Sequence, residues 1–224
     1  MGPEAGERLD HEPGVDRSGT DAQKKSLHAD ERDTPRVRRL RRAFWARMAR
    51  IDPRHLVFVD ESGATTAMTR LRGRAPKGER VHGATPHGHW QVTTMLGAIR
   101  LQGVTAAMTI DCPTDSEVFR VFVERVLAPA LRPGDVVIMD NLSSHKAAGV
   151  AERIHASGAE LIYQPPYSPD LNPIEPCWSK VKEFLRAAKA RTQDLLHQAI
   201  AAALQTVSPR DARGWFRHCG YIGL

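Results

Sequence analysis

Residues 135–164, DVVIMDNLSSHKAAGVAERIHASGAELIYQ, read as strand, helix, strand. The run from Val136 to Met139 is apolar without alternation, the signature of a strand buried on both faces. A helix is expected from about Ser144 to Ser157. Gly158 closes it, and ELIYQ (160–164) supplies the next short strand. A second uninterrupted apolar run, LVFV (56–59), reads as another buried strand. Between the two runs, WQVTTMLGAIRLQGVTAAMTI (90–110) is β-rich with a break at Gln102-Gly103, which predicts a hairpin. Residues 114–131 carry Val118, Phe122, Val126 and Leu127 at helical spacing, with acids in the first turn. Downstream, the Pro-rich loop PPYSPDLNP (165–173) leads into a long helical C-terminal region. Early strands followed by alternating units predict an α/β fold with a mixed sheet, its three leading strands antiparallel and its later ones parallel.

The flanks differ from this body. Residues 1–34 are rich in Gly, Pro and charge and nearly lack large apolar side chains, so a disordered extension is expected there. Residues 35–55 hold eight arginines, at 36, 38, 39, 41, 42, 47, 50 and 54, against the single acid Asp52. Val37, Leu40, Phe44, Met48 and Ile51 interleave with them, which predicts a basic amphipathic linker helix ending near Asp52-Pro53. Such one-sided charge suits contact with phosphates, the alternative being a merely solvated helix. Residues 56–224 form the globular domain on this reading. The whole chain has 224 residues, a formal charge of +6 and a pI near 9.5, a modest bias toward a polyanionic partner. Cys112, Cys177 and Cys219 form no CxxC pair, which speaks against a disulfide framework or zinc site and fits a reducing cytosol. No apolar run is long enough to span a bilayer, and the acidic N-terminus does not resemble a signal peptide.

Both buried strands are expected to end on an aspartate, LVFVD at Asp60 and VVIMD at Asp140. Each alone is compatible with a residue that closes a turn. In α/β sheets, however, ligand crevices form at the carboxyl ends of neighbouring strands, and two carboxylates meeting there repel unless a cation lies between them. Glu175 is the third candidate. Asn172-Pro173-Ile174-Glu175 is a good helix start, so Glu175 can serve as a capping-box residue behind Asn172. Ile174, Trp178, Val181 and Leu185 form the apolar stripe of that helix, while Glu175, Lys182 and Arg186 share the adjacent face. Three carboxylates without His or Cys make an oxygen-only site suited to Mg²⁺ or Mn²⁺. Two such ions support phosphodiester chemistry without a covalent intermediate.

With these residues in place, VDES (59–62), MDNLSSHK (139–146) and YQPPYSPDLNPIEPCWSKVK (163–182) resemble the catalytic domain of bacterial insertion-sequence transposases of the Tc/mariner superfamily. Asp140 and Glu175 lie 35 positions apart, the spacing between that superfamily's second and third catalytic acids. The resemblance implies a ribonuclease H-like fold, a mixed five-stranded sheet flanked by helices. It implies Asp60, Asp140 and Glu175 as catalytic, metal-holding acids for two Mg²⁺ or Mn²⁺ ions. It also implies a cut-and-paste reaction, in which water cleaves double-stranded DNA at the element end and the freed 3′-hydroxyl attacks a TA-type target. A homodimer on the nucleoid is expected, and no membrane partner.

Neighbouring residues receive supporting roles. Glu61, Asn141 and His145 are expected to back the acids, with Glu61 on the opposite side of its strand from Asp60. Arg38, Arg39, Arg41 and Arg42 on the linker helix, Arg72, Arg74 and Lys77 in the loop after the first strand, and Lys180, Lys182 and Arg186 on the C-terminal helix are candidate DNA contacts. Trp178 reads as core, and Tyr167 as a base-stacking candidate. Relatives carry a helix-turn-helix region ahead of this domain, and no pair of helices here fits one. That leaves a frame joined by frameshifting to an upstream helix-turn-helix partner, or a truncated product. The competing function is an idle transposase product acting as a DNA-binding or dimerising regulator.

Overall fold

The computed structural model describes residues 29–222; the stretch 1–28 of the expected N-terminal extension lies outside them. Asp30–Asp33 form a single 3₁₀ turn. Helix α1 follows over Pro35–Met48, with the Thr34 side chain accepting from the Val37 amide and proline in its first turn. It stops short of the anticipated end because Pro53 begins a separate 3₁₀ turn capped by Asp52.

Five strands form one mixed sheet: β1 (Leu56–Thr65), β2 (Val92–Arg100), β3 (Gly103–Ile110), β4 (Val136–Met139) and β5 (Glu160–Tyr163). Their order is β3-β2-β1-β4-β5, with β1 antiparallel to β2 and parallel to β4, as the sequence predicts. The first strand corrects one expectation. It does not end at Asp60 but runs through Ser62-Gly63 to Thr65, because each of these residues pairs with β2, from Asp60 opposite Gly97 to Thr65 opposite Val92. Residues 66–91 connect the two strands irregularly, and everything from Arg70 to Val92 is exposed.

Helices cover both faces. Helix α2 (Ser116–Phe122) widens into a π-type segment over Val123–Leu127, and α3 (Val150–Ala156) lies between β4 and β5. On that side Val57, Val59, Val137 and Met139 pack with Phe119, Phe122 and Ile154. On the other side α1, α4 (Ile174–Ala188), α5 (Gln193–Gln205) and α6 (Pro209–His218) enclose Leu56, Phe58, Ile138, Trp178 and Phe216. Strand alternation therefore assigns Leu56, Phe58 and, two further on, Asp60 to the α4 face, and Val57, Val59 and Glu61 to the α2 face. Trp178 belongs to the core, and only glycine fits beneath it. A Cβ on Gly97 would sit 2.7 Å from the indole edge. A buried ion pair, Arg100 Nη2 to Asp135 Oδ2 at 2.9 Å, ties β2 to the start of β4, and Asp135 also accepts from the Arg132 amide. The three cysteines are free. Among the described residues no helix is long and apolar enough to cross a membrane.

Candidate active site

The parallel register sets Phe58 beside Ile138. Two residues on, Asp60 and Asp140 reach the same end of the sheet. Glu175 arrives from the first turn of α4, and all three carboxylates line one open cleft of about 310 Å³. Asn141, Leu142, Gln164 and the loop residues Tyr167, Ser168, Pro169 and Asn172 complete its walls.

Glu175 is exposed and does not close a capping box. Pro173 occupies the cap position, Asn172 Oδ1 accepts from the Ile174 amide at 3.4 Å, and the Asn172 amide turns back to Pro169 O. The carboxylate is thus left to the cleft. Asp60 is the most enclosed of the three. Burial first, then the nearby charge of Glu175 and Asp140, raises its pKa from 3.8 to about 7. Two acids of one sign pushing on a third is an arrangement that a cation would relieve.

Behind the cleft lies His145, fully buried and stacked 4.2 Å from the Phe119 ring. Its Nε2 is 2.8 Å from Glu61 Oε2, and its Nδ1 is 2.5 Å from Asp140 Oδ1. The second approach is a charge contact, since Nδ1 has no aligned hydrogen-bond partner. Burial pushes the imidazole's pKa down, but Asp140 and Glu61 outweigh it and hold it at about 9. An imidazolium therefore bridges the two acids at neutral pH. Tyr163 Oη donates to the His145 carbonyl at 3.1 Å and fixes the ring's backbone. Asn141 is exposed at the cleft rim.

The oxygen-only donor set and mutual repulsion of the acids fit a hard divalent cation. Among the described residues no three His, Cys, Asp or Glu side chains are already gathered as an ion-holding cluster.

The candidate DNA contacts divide. Arg38, Arg39 and Arg42 are exposed on α1, and Arg72, Arg74 and Lys77 are exposed in the 66–91 connection. Lys182 and Arg186 are half-exposed on α4, with Arg186 Nη1 3.6 Å from Glu183. Two candidates are instead committed to the protein. Lys180 Nζ donates to Thr206 O at 2.8 Å and to Asp211 Oδ2 at 2.7 Å, fastening α4 to α6. Arg41 turns inward onto Ser168 and Asp170 of the 165–173 loop. The sequence missed these pairings, and Tyr221 beneath the same loop, because no spacing rule links residues so far apart in the chain.

The sequence matches the model of the DDE superfamily endonucleases over residues 55–197. No curated protein matches it. Among solved structures, Mos1 transposase in a paired-end complex with left transposon end superposes with a TM-score of 0.73 at 15% identity, covering 89% of this chain and 63% of that one. A Mos1 mariner paired-end complex with Mn gives 0.70 at 15%, covering 89% and 64%. The catalytic domain of Mos1 mariner transposase gives 0.63 at 14% identity, covering 87% and 91%. The chain thus spans less than two thirds of the complexed transposase but nearly all of the separate catalytic domain. It shares their ribonuclease H-like fold. With the family match over the whole sheet and all three acids, the chain belongs to the DDE superfamily endonucleases.

Proposed function

We propose that this chain is the catalytic domain of a Tc/mariner-type DNA transposase of an insertion sequence, acting by cut and paste. The observation that carries the reading is the convergence of Asp60, Asp140 and Glu175 on one cleft in a chain of the DDE family. These three carboxylates would hold two Mg²⁺ or Mn²⁺ ions. When bound, such ions activate the attacking oxygen and offset charge on the leaving oxygen. The likeness to complexes named for Mn and Mg supports a divalent requirement.

The chain's own residues do the rest. Asp60, on the central strand, and Asp140, beside it, give a rigid floor. Glu175 is exposed at the start of α4 and free to close on the cleft from above. The His145 imidazolium, pinned by Glu61, fixes the orientation of Asp140. In the first step a water oxygen bonds to phosphorus and the 3′-oxygen leaves with a proton. In the second that 3′-hydroxyl attacks a target phosphate and loses the proton, and the target's own 3′-oxygen departs. Exposed arginines of α1 and of the 66–91 connection would track the phosphates. A second copy of the chain, an upstream helix-turn-helix partner and a place on the nucleoid in the cytoplasm complete the reading.

The test is nicking of supercoiled plasmid in Mg²⁺ or Mn²⁺ against chelator, beside Asp60→Asn, Asp140→Asn and Glu175→Gln. Each variant is expected to abolish nicking while keeping the circular dichroism of the parent. Near-normal cutting by any one removes that acid from the site. Retained DNA binding with no nicking by the parent, even with an upstream partner added, would favour the idle regulator instead.

A further inference from the structure

Helix α1 presents two faces. Arg36, Arg38, Arg39, Arg42 and Arg47 are exposed, while Val37, Phe44 and Met48 are buried against the domain. Arg41 departs from the other arginines. Its side chain is 16% exposed and its guanidinium forks onto Asp170, Nη1 to Oδ1 at 3.0 Å and Nη2 to Oδ2 at 2.7 Å. The same Nη1 donates to Ser168 Oγ at 2.7 Å, and Arg32 Nη2 adds a weaker contact to Asp170 at 3.3 Å. A bidentate fork fixes direction as well as distance.

What it grips is the wall of the acidic cleft. Tyr167 holds a positive φ of 55°, a conformation that costs a non-glycine residue of order 1 kcal/mol or more and persists only when its surroundings enforce it. Ser168 comes next in the chain, and its hydroxyl also donates to Pro166 O at 3.1 Å. Beyond Asp170, Leu171 O accepts from Gln164 Nε2 at 3.1 Å and from Tyr221 Oη at 2.7 Å. The chain then turns through Asn172 and Pro173 into Glu175. Gln164 and Tyr221 thus hold the loop on the core side, and Arg41 holds it from α1.

We propose that Arg41 is a positioning residue: through Asp170 and Ser168 it clamps the 165–173 loop that carries Glu175 into the cleft. The helix whose outer face would meet DNA then also sets the geometry of the cutting site. The catalytic half of this claim rests on the transposase reading above; the clamp itself does not.

The test pairs Arg41→Ala with Asp170→Asn, which keeps every arginine, and with the double variant. Amide hydrogen exchange followed by mass spectrometry is read over residues 167–175 and over β1 and β4. Nicking kinetics are read on plasmid DNA in Mn²⁺. Both single variants are expected to speed exchange in 167–175 about tenfold or more with β1 and β4 unchanged. Both are expected to lower kcat about 10- to 100-fold, as losses of supporting contacts do around metal sites, with KM for DNA within about twofold. The double variant should be no worse than the worse single, because both remove one interaction. Unchanged exchange in 167–175 overturns the clamp. So does faster exchange throughout the domain, which would make Arg41 a general staple. A raised KM at constant kcat in Arg41→Ala alone would make it a DNA contact. If the parent cuts no DNA even with an upstream partner added, the transposase reading fails while the exchange data still decide the clamp.

Discussion

Removing one negative charge from the cleft should stabilise the protein while destroying its proposed activity. The perturbation is Asp60→Asn, nearly isosteric and neutral. In the fold, burial and the charges of Glu175 and Asp140 raise the Asp60 pKa to about 7 from 3.8. The folded state thus binds this proton more tightly than the unfolded chain. Stability from this group is complete below pH 4, declines as pH rises, and is lost above pH 7. Roughly three pH decades at about 1.4 kcal/mol each give about 4 kcal/mol, and water reaching the open cleft reduces that to about 2–4 kcal/mol. Asp60→Asn escapes this cost. For a domain this size a gain of 2–4 kcal/mol raises Tm by about 4–15 °C. The assay is thermal unfolding followed by circular dichroism in chelator, from pH 4.5 to pH 8. The variant should melt within a few degrees of the parent at pH 4.5 and well above it at pH 8. Millimolar Mn²⁺ at pH 8 should narrow the difference by raising the parent's Tm more than the variant's. Equal melting of the two proteins at pH 8 in chelator, or a gain just as large at pH 4.5, would refute the electrostatic reasoning.

Three further outcomes follow from the packing and charge. Gly97→Ala places a methyl 2.7 Å from the Trp178 ring and should cost about 1–3 kcal/mol, read as a lower denaturant midpoint with unchanged slope. Arg100→Met leaves Asp135 charged and 2% exposed; the loss should be about 3–5 kcal/mol, and Arg100→Met with Asp135→Ala should recover part of it in a double-mutant cycle. DNA affinity should fall steeply as salt rises from about 50 to 200 mM, and replacing Arg38, Arg39 and Arg42 by Ala should flatten the log–log slope by about two to three; a slope unchanged in that variant would show that α1 does not meet phosphate.

Much of the sheet was legible because uninterrupted apolar runs at 56–59 and 136–139 permit little but buried strands, and parallel pairing then carries Asp60 and Asp140 to a common edge. The continuation of β1 was not legible, since Ser62-Gly63 has the local chemistry of a turn and only pairing with β2 draws it straight. The stripe Ile174, Trp178, Val181 and Leu185 predicted the buried side of α4, and all four are buried. The destination of each basic side chain was not readable. Arg41 and Lys180 look like their neighbours in sequence, and only the fold brings Asp170 and Asp211 within reach of them. His145 likewise carries no local mark of burial; Phe119 and Glu61, far from it in the chain, bury and charge it.

The hydroxyl of Tyr221 that supports Leu171 O also bears on the order in which the proposed site is assembled as the chain is made. The three acids are spread over positions 60, 140 and 175, and the turn that delivers the last of them rests on a residue 46 positions further along. A nascent chain on the ribosome can complete β1 through β5 and still lack that support. On the proposed function, the site's full support therefore waits for Tyr221 and does not come with the acids alone. A messenger broken just after the codon for Glu175 would yield all three carboxylates on a loop that has its Gln164 and Arg41 partners but lacks the Tyr221 contact.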